Sequence, residues 1–377
     1  MDDNKLIELL HSALTGSKLN TELPADITSN TDLFNLASSH SIANVVSVGL
    51  FNNGFDVEGT PFEQAELRAA YSDAQIEAVM FSVRSAFEAR RLTFIPLKGV
   101  VLKQYYPDTS MRTCGDADIL VKEGQLEAAV NALVEECGYR VKSYNFHDVE
   151  LITPEGQVVE LHFSVLYDIE KLDAVLSRVW NYAVLVAGSE CEMKLTDDFF
   201  LFFILAHMFH HFVTGGCGIR FFMDLWVIRH RMGIAYETGA NEFCIRAGID
   251  KFASAAFQLS EVWFGENCEH TELTKSMEEY ILSGGTFGSA ENIAASSGIV
   301  KRSDRFRYNL NRMILPYSKL KLIYPAMKPA EFPVCEIKRW GELLNKGLSR
   351  RKEMSKKAVP DEKKEKVRRL MQQLDIE

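Results

Sequence analysis

Cysteine is scarce in this chain and follows no pattern. Seven cysteines stand at 114, 137, 191, 217, 244, 268 and 335, an odd number with no Cys-x-x-Cys among them. That indicates neither a disulfide framework nor a cysteine-ligated zinc, and the bland expectation is reduced thiols in a cytoplasmic protein. Long apolar runs are missing too. The longest, Phe199 to Ala206, is broken by His207 and falls far short of the ~20 residues a membrane helix needs. No secretory leader is expected, because MDDNKLIELLHSALTG begins acidic and reads as an amphipathic helix, with Leu6, Leu9, Leu10 and Leu14 at helical spacing. Nor is there a cationic excess. The formal charge of −10 argues against a surface built for nucleic acid. Neither an internal repeat nor a low-complexity tract occurs.

What is present is a soluble globular composition, 47% apolar and 25% charged, over 377 residues, a length that favours more than one domain. Residues 1–91 read as helical. The stretch after Thr60-Pro61 carries an apolar stripe through Leu67, Tyr71, Ile76, Val79, Val83 and Phe87. Residues 92–195 mix strands and helices. Thr93 to Leu97 and Asp116 to Val121 read as strands. Val100 to Tyr105 reads as a short helix, and Glu123 to Cys137 as a longer one ending at Gly138. DVELITPEGQVVELHF reads as an antiparallel hairpin around Pro154-Glu155-Gly156. From Thr196 to about 345 helices dominate, starting with FFLFFILAHMFHHF and IRFFMDLWVIRHRM. Residues 346–377 form a basic tail: Lys346 to Arg369 holds eleven Lys/Arg against four Asp/Glu, so the remainder of the chain is near −17. The tail reads as a solvated helix or a disordered segment. Without interleaved aromatics it is not expected to stack on bases, and neither a nucleic-acid nor a membrane partner is expected.

The stretch MRTCGDADILV carries the chemistry. In a strand, positions i and i+2 share a face, so Asp116 and Asp118 project together, roughly 6–7 Å apart at ~3.3 Å per residue, while Ala117 turns into the core. Two carboxylates so close need a positive group between them, and hard oxygen donors suit Mg²⁺ or Mn²⁺. Glu160, an acid inside the apolar run VVELH, completes a three-carboxylate set if its strand lies beside the aspartates. Such a set holds two metals for in-line attack at phosphorus. Lys98-Gly99 ends a strand and opens a helix, a place where a phosphate can be held, and Arg112 could fork onto a phosphate oxygen. The bland alternative is a solvent-exposed strand edge with an ordinary surface lysine and arginine.

The segments PLKGVVLKQYYPDTSMRTCGDADILV, VVELHFSV, LTDDFFLFFILAHMFHHF and IRFFMDLWVIRHR, with the later LNRMILPYSKLKLIYPAMKP, resemble in order the uncharacterised nucleotidyltransferase family of the polymerase-β-type superfamily. The likeness spans roughly residues 90–330. It implies an α+β fold, with a small mixed sheet flanked by helices, N-terminal helices and a C-terminal all-helical domain. It also implies transfer of a nucleoside monophosphate from an NTP, with ATP expected, to a hydroxyl of a small molecule or protein. By this resemblance Asp116 and Asp118 would hold both metals. Glu160 would hold the metal nearer the acceptor and help deprotonate its hydroxyl. Gly99 would let the backbone approach the phosphates. Where the superfamily often has Gly-Ser or Gly-Gly, this chain has Lys98-Gly99-Val100, so Lys98 or Arg112 must replace the hydroxyl's phosphate contact.

His207, His210 and His211 lie on one helix, with Arg220 and Asp224 on the next. A zinc site of His207, His211 and Asp224, buried hydrogen bonding between helices, and a cleft wall of His211, Arg220 and Asp224 facing the nucleotide are all open readings. His162 shares the face of Glu160 and either orients it, touches a phosphate or packs in the core. The competing function is a catalytically weak nucleotide-binding or regulatory module on the same scaffold, suggested by the missing small residue after Gly99.

Overall fold

A computed structural model describes residues 3–145, 147–234, 239–265, 268–286, 288–296, 315, 317–324, 326–341 and 360–376. Four helices come first: α1 (Asp3–Thr15), α2 (Thr31–Ser39), α3 (Ala43–Asn52) and α4 (Pro61–Ala89). Then follow β1 (Phe94–Pro96), α5 (Gly99–Leu102), β2 (Asp116–Val121), α6 (Leu126–Cys137), β3 (Arg140–Tyr144), β4 (Asp148–Ile152), β5 (Val158–His162) and α7 (Glu170–Leu176). A two-stranded ribbon of β6 (Ala183–Leu185) and β7 (Met193–Leu195) leads into α8 (Asp197–Thr214), α9 (Ile219–His230), α10 (Ala240–Ala247), α11 (Asp250–Phe264), α12 (Glu272–Leu282) and α13 (Ala290–Ser296). This is the expected α+β class.

The strand order is β1-β2-β5-β4-β3. β1 runs antiparallel to β2, and β4 runs antiparallel to both β3 and β5, but β2 and β5 are parallel. The β4–β5 hairpin turns at Thr153–Gln157, where Gly156 takes φ 95°, a region that penalises a side chain. α6 ends at Gly138, as its sequence suggests.

Alternation along the strands divides the sheet. Ala117, Ile119 and Val121, with Val159, Leu161, Val149 and Leu151, pack under α4 and α6. The opposite face carries the polar residues and is covered by the helices after Thr196. α8 is apolar nearly all round, from Phe199 to Phe212, because it lies in the middle of that helical half, against α9, α10, α11 and α13. No helix among the described residues is long and apolar enough to cross a membrane.

The expectation of a solvated tail does not hold at its end. A helix over Asp361–Gln373 is docked, with Val367, Leu370, Met371, Leu374 and Ile376 buried in the helical core. Its apolar residues recur at helical spacing beneath a cationic outer face, so charge counting alone hides the stripe. Residues 346–359 of the tail lie outside the described residues.

Candidate functional site

β2 and β5 pair so that Asp118 stands directly beside Glu160, with Leu120 beside His162. Because the pairing is in register, Asp116, Asp118, Glu160 and His162 leave the sheet on one face. All four line a cavity of about 540 Å³ between the sheet and the α8–α9 pair. Lys98, Gly99, Arg112, His211, Arg220 and Asp224 line the same cavity, so it receives every candidate residue read from the sequence.

Asp118 is the hub. Lys98 Nζ donates to its Oδ1 at 2.6 Å, and His162 Nε2 meets the same oxygen at 2.7 Å. Burial alone would raise the Asp118 carboxyl, but these two cations hold it well below the usual carboxylate range. Burial likewise works against a charged His162, yet its contacts with Asp118 and with Glu160 Oε2, 3.3 Å away, lift it to about 9. Burial opposes the Lys98 cation as well, and Asp118 keeps it protonated. The lysine is aimed by its backbone, which has φ 50° at a non-glycine residue, a conformation that costs on the order of 1–3 kcal/mol.

Asp116 is placed differently. It is mostly buried, accepts no hydrogen bond among the described residues, and burial together with Asp118 and Glu160 pushes its carboxyl up to about 6. The ligand atoms of Asp118, Glu160 and His162 lie within 4.8 Å of one another; Asp116 is outside that tight group but in the same cavity. Three acids on one face, one of them accepting no hydrogen bond among the described residues, fit a hard divalent cation, which would have to take the place of the His162 or Lys98 cation at Asp118 Oδ1.

Gly99 is required by packing. A Cβ there would sit 2.6 Å from Cys114 Sγ and 3.3 Å from Arg112 Nη1. Arg112 does not present an open fork. Its Nε and Nη2 donate to the Asp224 carboxylate at 2.7 and 2.9 Å, Tyr106 Oη donates to the same group at 2.7 Å, and Nη1 donates to the Thr113 carbonyl.

The histidines form a wall. Tyr167 stacks on His210 with ring centres 4.5 Å apart, and its hydroxyl lies 3.1 Å from His207 Nδ1. Burial, then repulsion from Lys98, keeps His207 neutral; burial and His210 lower His211 to about 3. Among the described residues His207, His211 and Asp224 form no metal-binding group, since Asp224 is committed to Arg112 and Tyr106. Tyr106, Tyr167 and His147 also line or brace the cavity without having been singled out in the sequence. Tyr106 precedes a proline and Tyr167 lies between β5 and α7, and neither position carries a local signal.

No curated protein and no solved structure matches the chain. A family model described as an uncharacterised nucleotidyltransferase matches residues 28–265, reaching further towards the N-terminus than the sequence likeness and stopping before residues 310–329. The match takes in the sheet, the acidic cluster and the α8–α9 pair, well over half the chain, and the protein therefore belongs to the uncharacterised nucleotidyltransferase family.

Proposed function

We propose that this protein moves a nucleoside monophosphate from an NTP, ATP by preference, onto a hydroxyl of a small molecule or protein, with release of pyrophosphate. The observation that carries the reading is the parallel register of Asp118 and Glu160, with Asp116 on the same face of one cavity. Asp116, Asp118 and Glu160 would hold Mg²⁺ or Mn²⁺, which supplies Lewis acidity at phosphorus and neutralises the departing charge.

The remaining work falls to the chain. Glu160 accepts the proton of the acceptor hydroxyl as its oxygen bonds to the α-phosphorus and the α–β bridging oxygen leaves with pyrophosphate. Lys98 lies beside Gly99 and compensates charge at the phosphates. His162 fixes the Asp118 carboxylate through Nε2. The helical half covers the sheet face, so that α8 and α9 form the far wall of the cavity. The apolar wall of Phe203, Ile204 and Phe221 lines the same space.

Titration of the native protein with a non-hydrolysable ATP analogue and Mn²⁺, paired with a pyrophosphate-release assay over the four NTPs, tests this. Metal-dependent binding that falls in Asp116→Asn, and pyrophosphate release that falls about 10²-fold or more in Glu160→Gln, are expected. Absence of nucleotide binding by the native protein, or undiminished release by Glu160→Gln, would overturn it.

One observation favours a second reading, a nucleotide-binding module with little turnover. The chain's own Lys98 and His162 already share Asp118 Oδ1, so the aspartate is compensated internally. Nucleotide binding indifferent to Mn²⁺ and without pyrophosphate release would select that reading.

A further inference from the structure

Three cations of long side chains face the cavity: Lys98, Arg112 and Arg220. Lys98 is paired with Asp118, and Arg112 is closed on Asp224 by a two-bond fork. Arg220 has no carboxylate partner among the described residues. Its Nη1 alone is used, towards the Thr113 carbonyl at 3.1 Å and, more weakly, Thr113 Oγ1 at 3.4 Å. Its Nε and Nη2 donate to nothing among the described residues. A half-buried arginine whose nearest carboxylate, Asp224, is already forked by Arg112 is left with charge to spare. Burial, followed by repulsion from Arg112, lowers its pKa to about 10, and the Asp224 charge, already held by Arg112, offsets this only in part.

Its place is as informative as its charge. Arg220 and Arg112 share the Thr113 carbonyl, and Arg112 Nη1 is the guanidinium nitrogen that a Cβ on Gly99 would approach. Arg220 therefore stands at the Lys98–Gly99 turn. At that turn Val100 follows Gly99, so no side-chain hydroxyl is available for a phosphate.

Resting on the transferase reading above, we propose that Arg220 is the residue that grips the β,γ-phosphates of the nucleotide at the Gly99 turn, supplying the contact the missing hydroxyl would have made. Arg112 is a positioning residue that holds Thr113 and Asp224 in place. The recognised chemical unit is pyrophosphate, free or as the end of an NTP. A planar fork with unused donors matches two phosphate oxygens better than an ammonium does.

The test is calorimetric titration of the full chain with pyrophosphate, a non-hydrolysable ATP analogue and AMP, each with Mn²⁺, for wild type, Arg220→Gln and Arg220→Lys, alongside thermal melting. Arg220→Gln is expected to weaken pyrophosphate and the ATP analogue by about tenfold to a hundredfold. AMP binding should be unchanged and the apo protein should melt at or above the wild-type temperature, because a half-buried cation repelled by Arg112 has been removed. Arg220→Lys, which keeps the charge and loses the fork, should fall between, and it serves as the readout should the glutamine variant fail to fold. Equal binding of pyrophosphate by wild type and variants, or equal loss of AMP binding, overturns this assignment while leaving the transferase reading standing. Wild-type protein that binds neither pyrophosphate nor the ATP analogue overturns the transferase reading itself.

Discussion

Asp116 and Asp118 are separated by one residue and share a face, yet neutralising them should move stability in opposite directions. Asp116 accepts no hydrogen bond among the described residues, and its carboxyl is raised from 3.8 to about 6, chiefly by burial and then by Asp118 and Glu160. At 1.36 kcal/mol per pH unit, ionising it in the folded state costs about 3 kcal/mol, reduced to about 1–3 kcal/mol by its partial exposure. Asp116→Asn removes that cost at pH 7. Asp118 instead compensates Lys98 and His162, both largely buried, and Asp118→Asn strands them, at about 3 kcal/mol or more. For a chain of 377 residues the unfolding entropy makes 1 kcal/mol worth about 1 °C. Without metal at pH 7, Asp116→Asn should therefore melt about 1–4 °C above wild type and Asp118→Asn several degrees below. The sign with pH follows from a folded pKa above the unfolded one. The wild-type penalty is absent below about pH 4, grows as pH rises to about 6, and is constant above, so the gap to Asp116→Asn should open across that window. Adding Mn²⁺ should stabilise wild type more than Asp116→Asn. Scanning fluorimetry from pH 4 to 8 with EDTA or Mn²⁺ reads all of this. If both variants melt lower than wild type, or the Asp116→Asn gap is the same at pH 4 and pH 7, the charge assignment of the cavity is wrong.

Two further outcomes are expected. His40 is fully buried, accepts from the Ile219 backbone N–H, and is lowered by burial from 6.5 to about 4. Its unfolded form binds protons first, so about 3 kcal/mol present above pH 6.5 is lost as pH falls towards 4, a slope that His40→Asn should lack in urea titrations at both pH values. Gly99→Ala should cost about 1–3 kcal/mol through its clash with Cys114 Sγ, and Cys114→Ala should recover much of it. Additive effects in the double mutant would show that the turn relaxes elsewhere.

The sequence by itself determined the local periodicities. Alternation along DADILV put two carboxylates on one side and Ala117 on the other, and the same rule set Glu160 and His162 together. The hairpin around Gly156, the stop at Gly138 and the apolar wrap of α8 were legible because each is a property of neighbouring residues. Weak strands were not legible: β3, reading Arg-Val-Lys-Ser-Tyr at the sheet edge, and the three-residue β6 and β7 have too few buried positions to show a period. Only the tertiary structure decided which strand lies beside which. β3 and β4 intervene in sequence between β2 and β5 but stack outside them, and that order brings Glu160 into register with Asp118. It also decided charge pairing. Arg112 gave its fork to Asp224, 112 residues away, and left Arg220 facing the cavity with no carboxylate hydrogen-bonded to it among the described residues. The reason is that side-chain alternation is written every second residue, whereas the partner of a buried charge is chosen by which distant segment desolvates it and offers the opposite sign.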